Sequence, residues 1–243
     1  MTNSNSHRVL GIVTGLLCLL TGVCAHASSF SVSPTRILLS RKHQGITVRL
    51  LNTGDDLVTV QVRVVTWSLK DNQDVYENTD EVLLNPPIFT LQPDQPQLMR
   101  LGLRHPRAEM NEIAYRLLVE EVPPPPKPGI SLRTVLRISI PIFVEQQGTA
   151  KKQVNWKAEA TPVGVKITAT NNGNVHVEVK HLDLLPEGST VTPSSKIVLD
   201  YLLPGQSHEW VFEDPQIRSA QKFSLTAVTD EGNFNASLVA TTQ

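Results

Sequence analysis

Arg36 and Arg116 are the side chains of this 243-residue chain best suited to recognition chemistry. A guanidinium holds a carboxylate through two parallel hydrogen bonds. Arg36 stands in Ser33-Pro34-Thr35-Arg36-Ile37-Leu38, and Arg116 lies among apolar residues in Tyr115-Arg116-Leu117-Leu118. The ordinary alternatives are a solvated surface arginine at 36 and a structural ion pair at 116, for instance with Glu120. Acid–base and metal chemistry have less footing. No Gly-x-Ser-x-Gly elbow, phosphate loop or His-Glu-x-x-His occurs. His176 and His181 are five apart, which on a strand places them on opposite faces, and they read as exposed strand or turn residues. The carboxylates are scattered, and no cofactor or metal site is read. Trp67, Trp156 and Trp210 read as core aromatics.

A second kind of recognition is available to the backbone. Ile130, Leu132, Leu136, Ile138, Ile140, Ile142 and Val144 fall on every second residue, with only Thr134 interrupting. Period two gives an extended strand with one aliphatic face. Ser131, Arg133, Val135, Arg137 and Ser139 line the other face, where the charges meet solvent and discourage edge aggregation. Such a strand either buries its face in its own sandwich or offers part of it to another chain. Periodicity alone leaves both open.

The elements that position these residues are strands. Val58, Val60, Val62 and Val64 alternate with polar residues up to Trp67. Shorter alternations run through Ile46–Leu50, Met99–Leu103 and Tyr115–Val119. Turn compositions separate them: Asn52 to Asp56, Asn85-Pro86-Pro87, Gln92-Pro93-Asp94 and Pro123 to Gly129. A polar stretch follows Val144, and a second set of strands begins near Val163. Asn171-Asn172-Gly173-Asn174 is a tight-turn signal before Val175, Val177 and Val179. Further strands are read at Ile197–Leu199, Trp210–Phe212, Phe223–Ala227 and Leu238–Ala240. No amphipathic helix is apparent. The fold class is all-β: two immunoglobulin-like sandwiches joined by a short hinge. The expected division is residues 28–145, a hinge at 146–153, and residues 154–243.

The first residues read as an export signal rather than fold. Arg8 precedes an apolar run to Val23, and Ala25-His26-Ala27 is a small-x-small cleavage site. Residues 1–27 are therefore expected to be removed, taking Cys18 and Cys24 with them. The mature chain would then hold no disulfide or thiolate metal site. It would carry 21 basic and 23 acidic residues, a net charge of about −2, which suggests neither nucleic-acid nor membrane-surface binding. No later apolar run approaches the length of a spanning helix.

Four blocks in order resemble the periplasmic chaperones of the chaperone–usher pathway, which assemble pili and fimbriae. They are Ser31-Val32-Ser33-Pro34-Thr35-Arg36; Asn85-Pro86-Pro87 through Pro93 with Arg100-Leu101; Tyr115 through Pro124; and Leu132 to Val144. The resemblance implies a periplasmic protein that captures fimbrial subunits by donor-strand complementation and delivers them to an outer-membrane usher. It implies Arg36 as an anchor for the subunit's C-terminal carboxylate, and Leu132, Thr134, Leu136 and Ile138 as donor-strand residues. The better-known branch pairs that arginine with a lysine near the end of the donor strand. Here the nearest position is Pro141, and Arg116 is the substitute on the neighbouring strand. Tyr115 to Glu120 and Arg137 to Val144 resemble the archaic branch, whose members assemble spore-coat-like and Csu-type fibres. An exported adhesin or carbohydrate-binding β-protein is the alternative; it would need exposed aromatic loops, and aromatics are only 5% of the chain.

Overall fold

A computed structural model describes residues 30–105, 109–123 and 135–241. Leu132, Thr134 and the expected export signal lie outside these residues. The first half comprises β1 (Phe30–Ser33), β2 (Ile37–Leu39), β3 (Gly45–Asn52), β4 (Val58–Lys70), β5 (Gln73–Asn78), β6 (Val82–Asn85), β7 (Ile88–Leu91), β8 (Pro96–Leu103), β9 (Ile113–Val122) and β10 (Arg137–Val144). The second comprises β11 (Val154–Thr161), β12 (Gly164–Asn171), β13 (Val177–Pro186), β14 (Ser194–Leu202), β15 (Ser207–Phe212), β16 (Lys222–Thr229) and β17 (Gly232–Thr241). Among the described residues there is no helix, so none is long and apolar enough to cross a membrane.

In the first half a sheet ordered β1-β3-β8-β6 packs against one ordered β2-β10-β9-β4-β5, with β7 also paired to β4. The alternating residues read from sequence meet between these sheets. Val48, Leu50, Val60, Val62, Met99, Leu101, Leu117, Val119, Ile140 and Ile142 are all buried in one core. The second half forms one seven-stranded path, β14-β13-β16-β17-β11-β12-β15, closed over a separate core that includes Ile167, Val179, Leu184, Trp210 and Phe223. In β14 the large aliphatics Ile197 and Leu199 face outward, while Val198 packs inward.

Each sandwich has a corner held by a buried asparagine, built in the same way. Asn52 is buried; its side-chain amide donates to the carbonyls of Asp56 and Leu91, and its Oδ1 accepts from Gly54 N–H. Asn171 repeats this with Val175, Leu202 and Gly173. Each amide thereby satisfies backbone groups that a chain turning between sheets leaves unpaired. The Asn171–Asn174 turn is thus not a hairpin: β12 pairs with β11 and β15, whereas β13 pairs with β14 and β16. The side chain of Asn171 supplies the partners that a hairpin ladder would have supplied. The connecting segment before β11 is stitched to this corner. Asn172 N–H donates to Gln153 O at 2.7 Å and Asn174 N–H to Lys151 O at 2.9 Å. A Cβ on Gly173 would lie 2.2 Å from Lys151 O, so this close approach requires glycine.

Candidate functional site

The sheet β2-β10-β9-β4-β5 turns its second face toward the other sandwich. Residues i and i+2 of a strand share a face. Pro141 pairs with Arg116, and Arg116 with Val65; Arg36 directly precedes Ile37, which pairs with Ile142. Arg36, Pro141 and Arg116 therefore form one row across three neighbouring strands, with the proline between the two cations. In the next row, Phe143 and Ala114 meet Trp67 and, from the second sandwich, Leu203 in a small buried cluster. Trp67 is thus an interdomain residue rather than part of the sandwich core, as its sequence had suggested.

Arg36 reaches the second sandwich. Its Nη2 donates to Glu178 Oε2 at 2.5 Å and to Tyr201 Oη at 3.1 Å. Glu178 on β13 and Tyr201 on β14 are cross-strand partners, so the ladder itself aims both at the arginine. Burial opposes the charge on Arg36, but the Tyr201 hydrogen bond and the Glu178 carboxylate outweigh it and raise its pKa. Arg116 has the opposite character. Its guanidinium carbon stands 3.6 Å from the Trp67 ring centroid and 5.5 Å from that of Tyr201. Burial lowers its pKa against the pull of Tyr76, Asp74 and Tyr201, and its buried Nε has no partner among the described residues. Glu120, the alternative partner, instead meets Arg63 at 3.2 Å and Arg137 at 3.1 Å.

A cavity of about 330 Å³ opens beside Arg116, lined also by Trp67, Asp74, Asp200, Tyr201 and His208. Asp74 is held there by Trp67 Nε1 and Tyr76 Oη, each at 2.7 Å. On the other side of the junction His176 stacks on Phe143, centroids 3.6 Å apart, and its Nδ1 lies 2.6 Å from Glu112 Oε1. His176 is buried, not an exposed strand or turn residue, because the ring closes the contact between sandwiches. No cluster of three His, Cys, Asp or Glu side chains able to hold a metal occurs among the described residues.

The edge of β10 borders this cleft. β2 pairs with it only over Ile142–Val144, while β9 pairs along its whole length. Among the described residues, no strand lies on the β2 side of Arg137–Pro141. Leu136 and Ile138 are half-buried beside that edge; Ile138 packs against the first core, and Ile140 is fully part of it.

The family model for the pili and flagellar-assembly chaperone, PapD N-terminal domain, matches residues 29–150, half of the chain. The chain belongs to this family. It is a pilus-assembly chaperone with the two-domain β-sandwich fold. Its architecture is similar to that in the Acinetobacter baumannii CsuC–CsuE chaperone–tip adhesion subunit pre-assembly complex from archaic chaperone–usher Csu pili. The TM-score there is 0.66 at 20% identity, covering 88% of this chain and 99% of that one. It is similar also to the Salmonella enterica SafA pilin–SafB chaperone complex, at TM-score 0.62, 16% identity and coverage of 88% and 98%. The CupB2 chaperone of Pseudomonas aeruginosa gives 0.52 at 15% identity, covering 85% and 98%. Identities this low show the shared fold. No curated protein sequence matches the chain.

Within this chaperone the two arginines singled out by sequence lie in one row beside the β10 edge. Glu178, Tyr201, Asp74 and the Phe143–His176 stack were missed. One signal was available: Ile140 to Val144 is unbroken in apolar character, the mark of a strand covered on both faces.

Proposed function

We propose that this chaperone captures pilus subunits in the periplasm by lending them the free edge of β10, and that it passes them to an outer-membrane usher. The open edge of Arg137–Pro141, ending at the row of Arg36 and Arg116, is the observation that carries this reading. A subunit strand laid along the edge would satisfy its backbone groups there, with Leu136 and Ile138, and by the family pattern Leu132 and Thr134, entering its apolar groove. Each aliphatic side chain fully buried this way adds roughly 1.5–3 kcal/mol. The subunit's terminal carboxylate would meet the two guanidiniums. Arg116 supplies an Nε donor that has no partner among the described residues, and Pro141 leaves the space between the cations free of a competing side-chain donor. The likeness to the Csu complex, together with the arginine in place of a donor-strand lysine, supports the archaic branch.

Arg36→Ala should leave both sandwiches folded by circular dichroism and sharply reduce subunit recovered by co-purification. Truncating one partner of a buried charge pair can cost roughly 2–5 kcal/mol. Undiminished subunit recovery would remove Arg36 from the mechanism. Periplasmic extracts should yield a mature chain beginning at Ser28 by mass spectrometry.

A further inference from the structure

The carboxylate anchor is already occupied by a carboxylate of the chaperone itself. Glu178 Oε2 lies 2.5 Å from Arg36 Nη2, and Tyr201 Oη shares the same nitrogen at 3.1 Å. A guanidinium grips a carboxylate bidentately through one of two forks, Nε with Nη2 or Nη1 with Nη2. Both forks run through Nη2. While Glu178 and Tyr201 hold its two hydrogens, an incoming carboxylate can take only a single hydrogen bond from Arg36. The contact is built rather than incidental. Glu178 and Tyr201 sit opposite each other on β13 and β14. The Glu178 backbone N–H is tied to Asp230 Oδ1 at 3.0 Å, and its side chain is only 16% exposed. Lys180 stands farther off, at 4.0 Å.

We infer that Glu178 is a resident competitor: it occupies Arg36 in the empty chaperone, must be exchanged for the subunit's terminal carboxylate on capture, and retakes the arginine on release. This rests on the reading of Arg36 as the anchor. Capture and release then become a swap of one carboxylate for another at a constant cation. The guanidinium is paired in both states, and on capture the unpaired charge passes to Glu178, with Lys180 at 4.0 Å to receive it. Tyr201 is the weaker half of the same block, since its hydroxyl brings no formal charge.

The test uses the full mature chaperone and two synthetic ten-residue peptides of alternating valine and threonine, one with a free C-terminal carboxylate and one amidated. The ratio of their dissociation constants measures carboxylate recognition apart from strand pairing. Glu178→Gln should raise the preference for the acid about tenfold, the worth of one further charge-assisted hydrogen bond. Tyr201→Phe keeps the ring and should raise it by a smaller factor. Arg36→Ala should remove most of the preference in either background, leaving only what Arg116 supplies, and should erase the difference that Glu178→Gln makes. Thermal melts of each variant establish that both sandwiches persist; if Glu178→Gln does not fold, Tyr201→Phe carries the test alone. An unchanged or reduced acid preference in the folded variants, with Arg36→Ala still lowering it, overturns the competitor. An acid preference undiminished by Arg36→Ala, or no binding of either peptide, overturns the anchoring reading beneath it.

Discussion

At the scale of the residue, the row Arg36–Pro141–Arg116 makes a substitution experiment with a sign. Arg116→Ala should weaken subunit capture, because it removes a half-buried cation whose Nε has no hydrogen-bond partner among the described residues. Adding Pro141→Lys to that variant places an ammonium between the two positions and should restore much of the capture, read by co-purification; no recovery would mean that Arg116 acts only by stacking on Trp67. A second residue carries a pH dependence. Burial pushes His208 below the ordinary 6.5, against the pull of Asp200, Asp74 and Glu209. Between its folded value and 6.5 the unfolded chain therefore binds more protons. Stability is full above 6.5 and falls as pH drops below it. Urea midpoints at pH 7.5 and 5.5 should differ less in His208→Gln than in the parent. The two arginines were nominated in the sequence by the resemblance of their blocks to the family and, for Arg116, by its apolar setting on the neighbouring strand. Glu178 and Tyr201 were not, since they reach Arg36 across 142 and 165 residues of chain.

At the scale of the element, β10 changes character along its length. Leu136 lies outside the first core, while Ile142 is fully buried in it. Leu136→Asp should leave the melting temperature of the free chaperone close to the parent's and abolish subunit binding, because an unpaired carboxylate would have to enter an apolar groove. Ile142→Asp should instead unfold the first sandwich. If Leu136→Asp collapses the isolated protein, that leucine is an ordinary core residue and the edge is not donated. Period-two alternation located most of these strands because a half-buried sheet enforces it. It failed where the alternation carries no burial. β5 has only two partly buried residues, Val75 and Tyr76, and went unread; in β14 the exposed Ile197 and Leu199 drew attention to the wrong face. The pairing of β12 and β13 with other strands was invisible for a different reason. A local turn signal says how the chain bends, not which sheet receives it.

At the scale of the molecule, two separate cores meet through a small contact of Trp67, Ala114, Phe143 and Leu203. Truncating a buried phenylalanine typically costs about 3–5 kcal/mol. In Phe143→Ala that loss falls on the contact between sandwiches as well as on the His176 stack. The expected outcome is a chaperone whose far-ultraviolet circular dichroism is that of the parent but whose radius of gyration by small-angle scattering is larger. An unchanged radius would assign the relative placement of the sandwiches to other contacts, such as the Arg36–Glu178 pair. The two-sandwich architecture was legible from strand spacing and the polar stretch after Val144. The cleft was not, because an interdomain face is assembled from residues that, strand by strand, look like ordinary core or surface.

The Asn171 corner also bears on chemical ageing. Asn172-Gly173 is the dipeptide in which a backbone nitrogen most readily attacks the preceding side-chain amide, converting asparagine to aspartate through a cyclic imide. That attack needs the Gly173 nitrogen free and able to swing. Here its N–H is committed to Asn171 Oδ1 at 2.9 Å, and the Asn172 N–H to Gln153 O. The reaction is thereby coupled to opening of the corner that stitches the connecting segment to the second sandwich. The slow appearance of a one-dalton mass gain at Asn172 would serve as a built-in clock for that opening, running faster in any variant that loosens the junction.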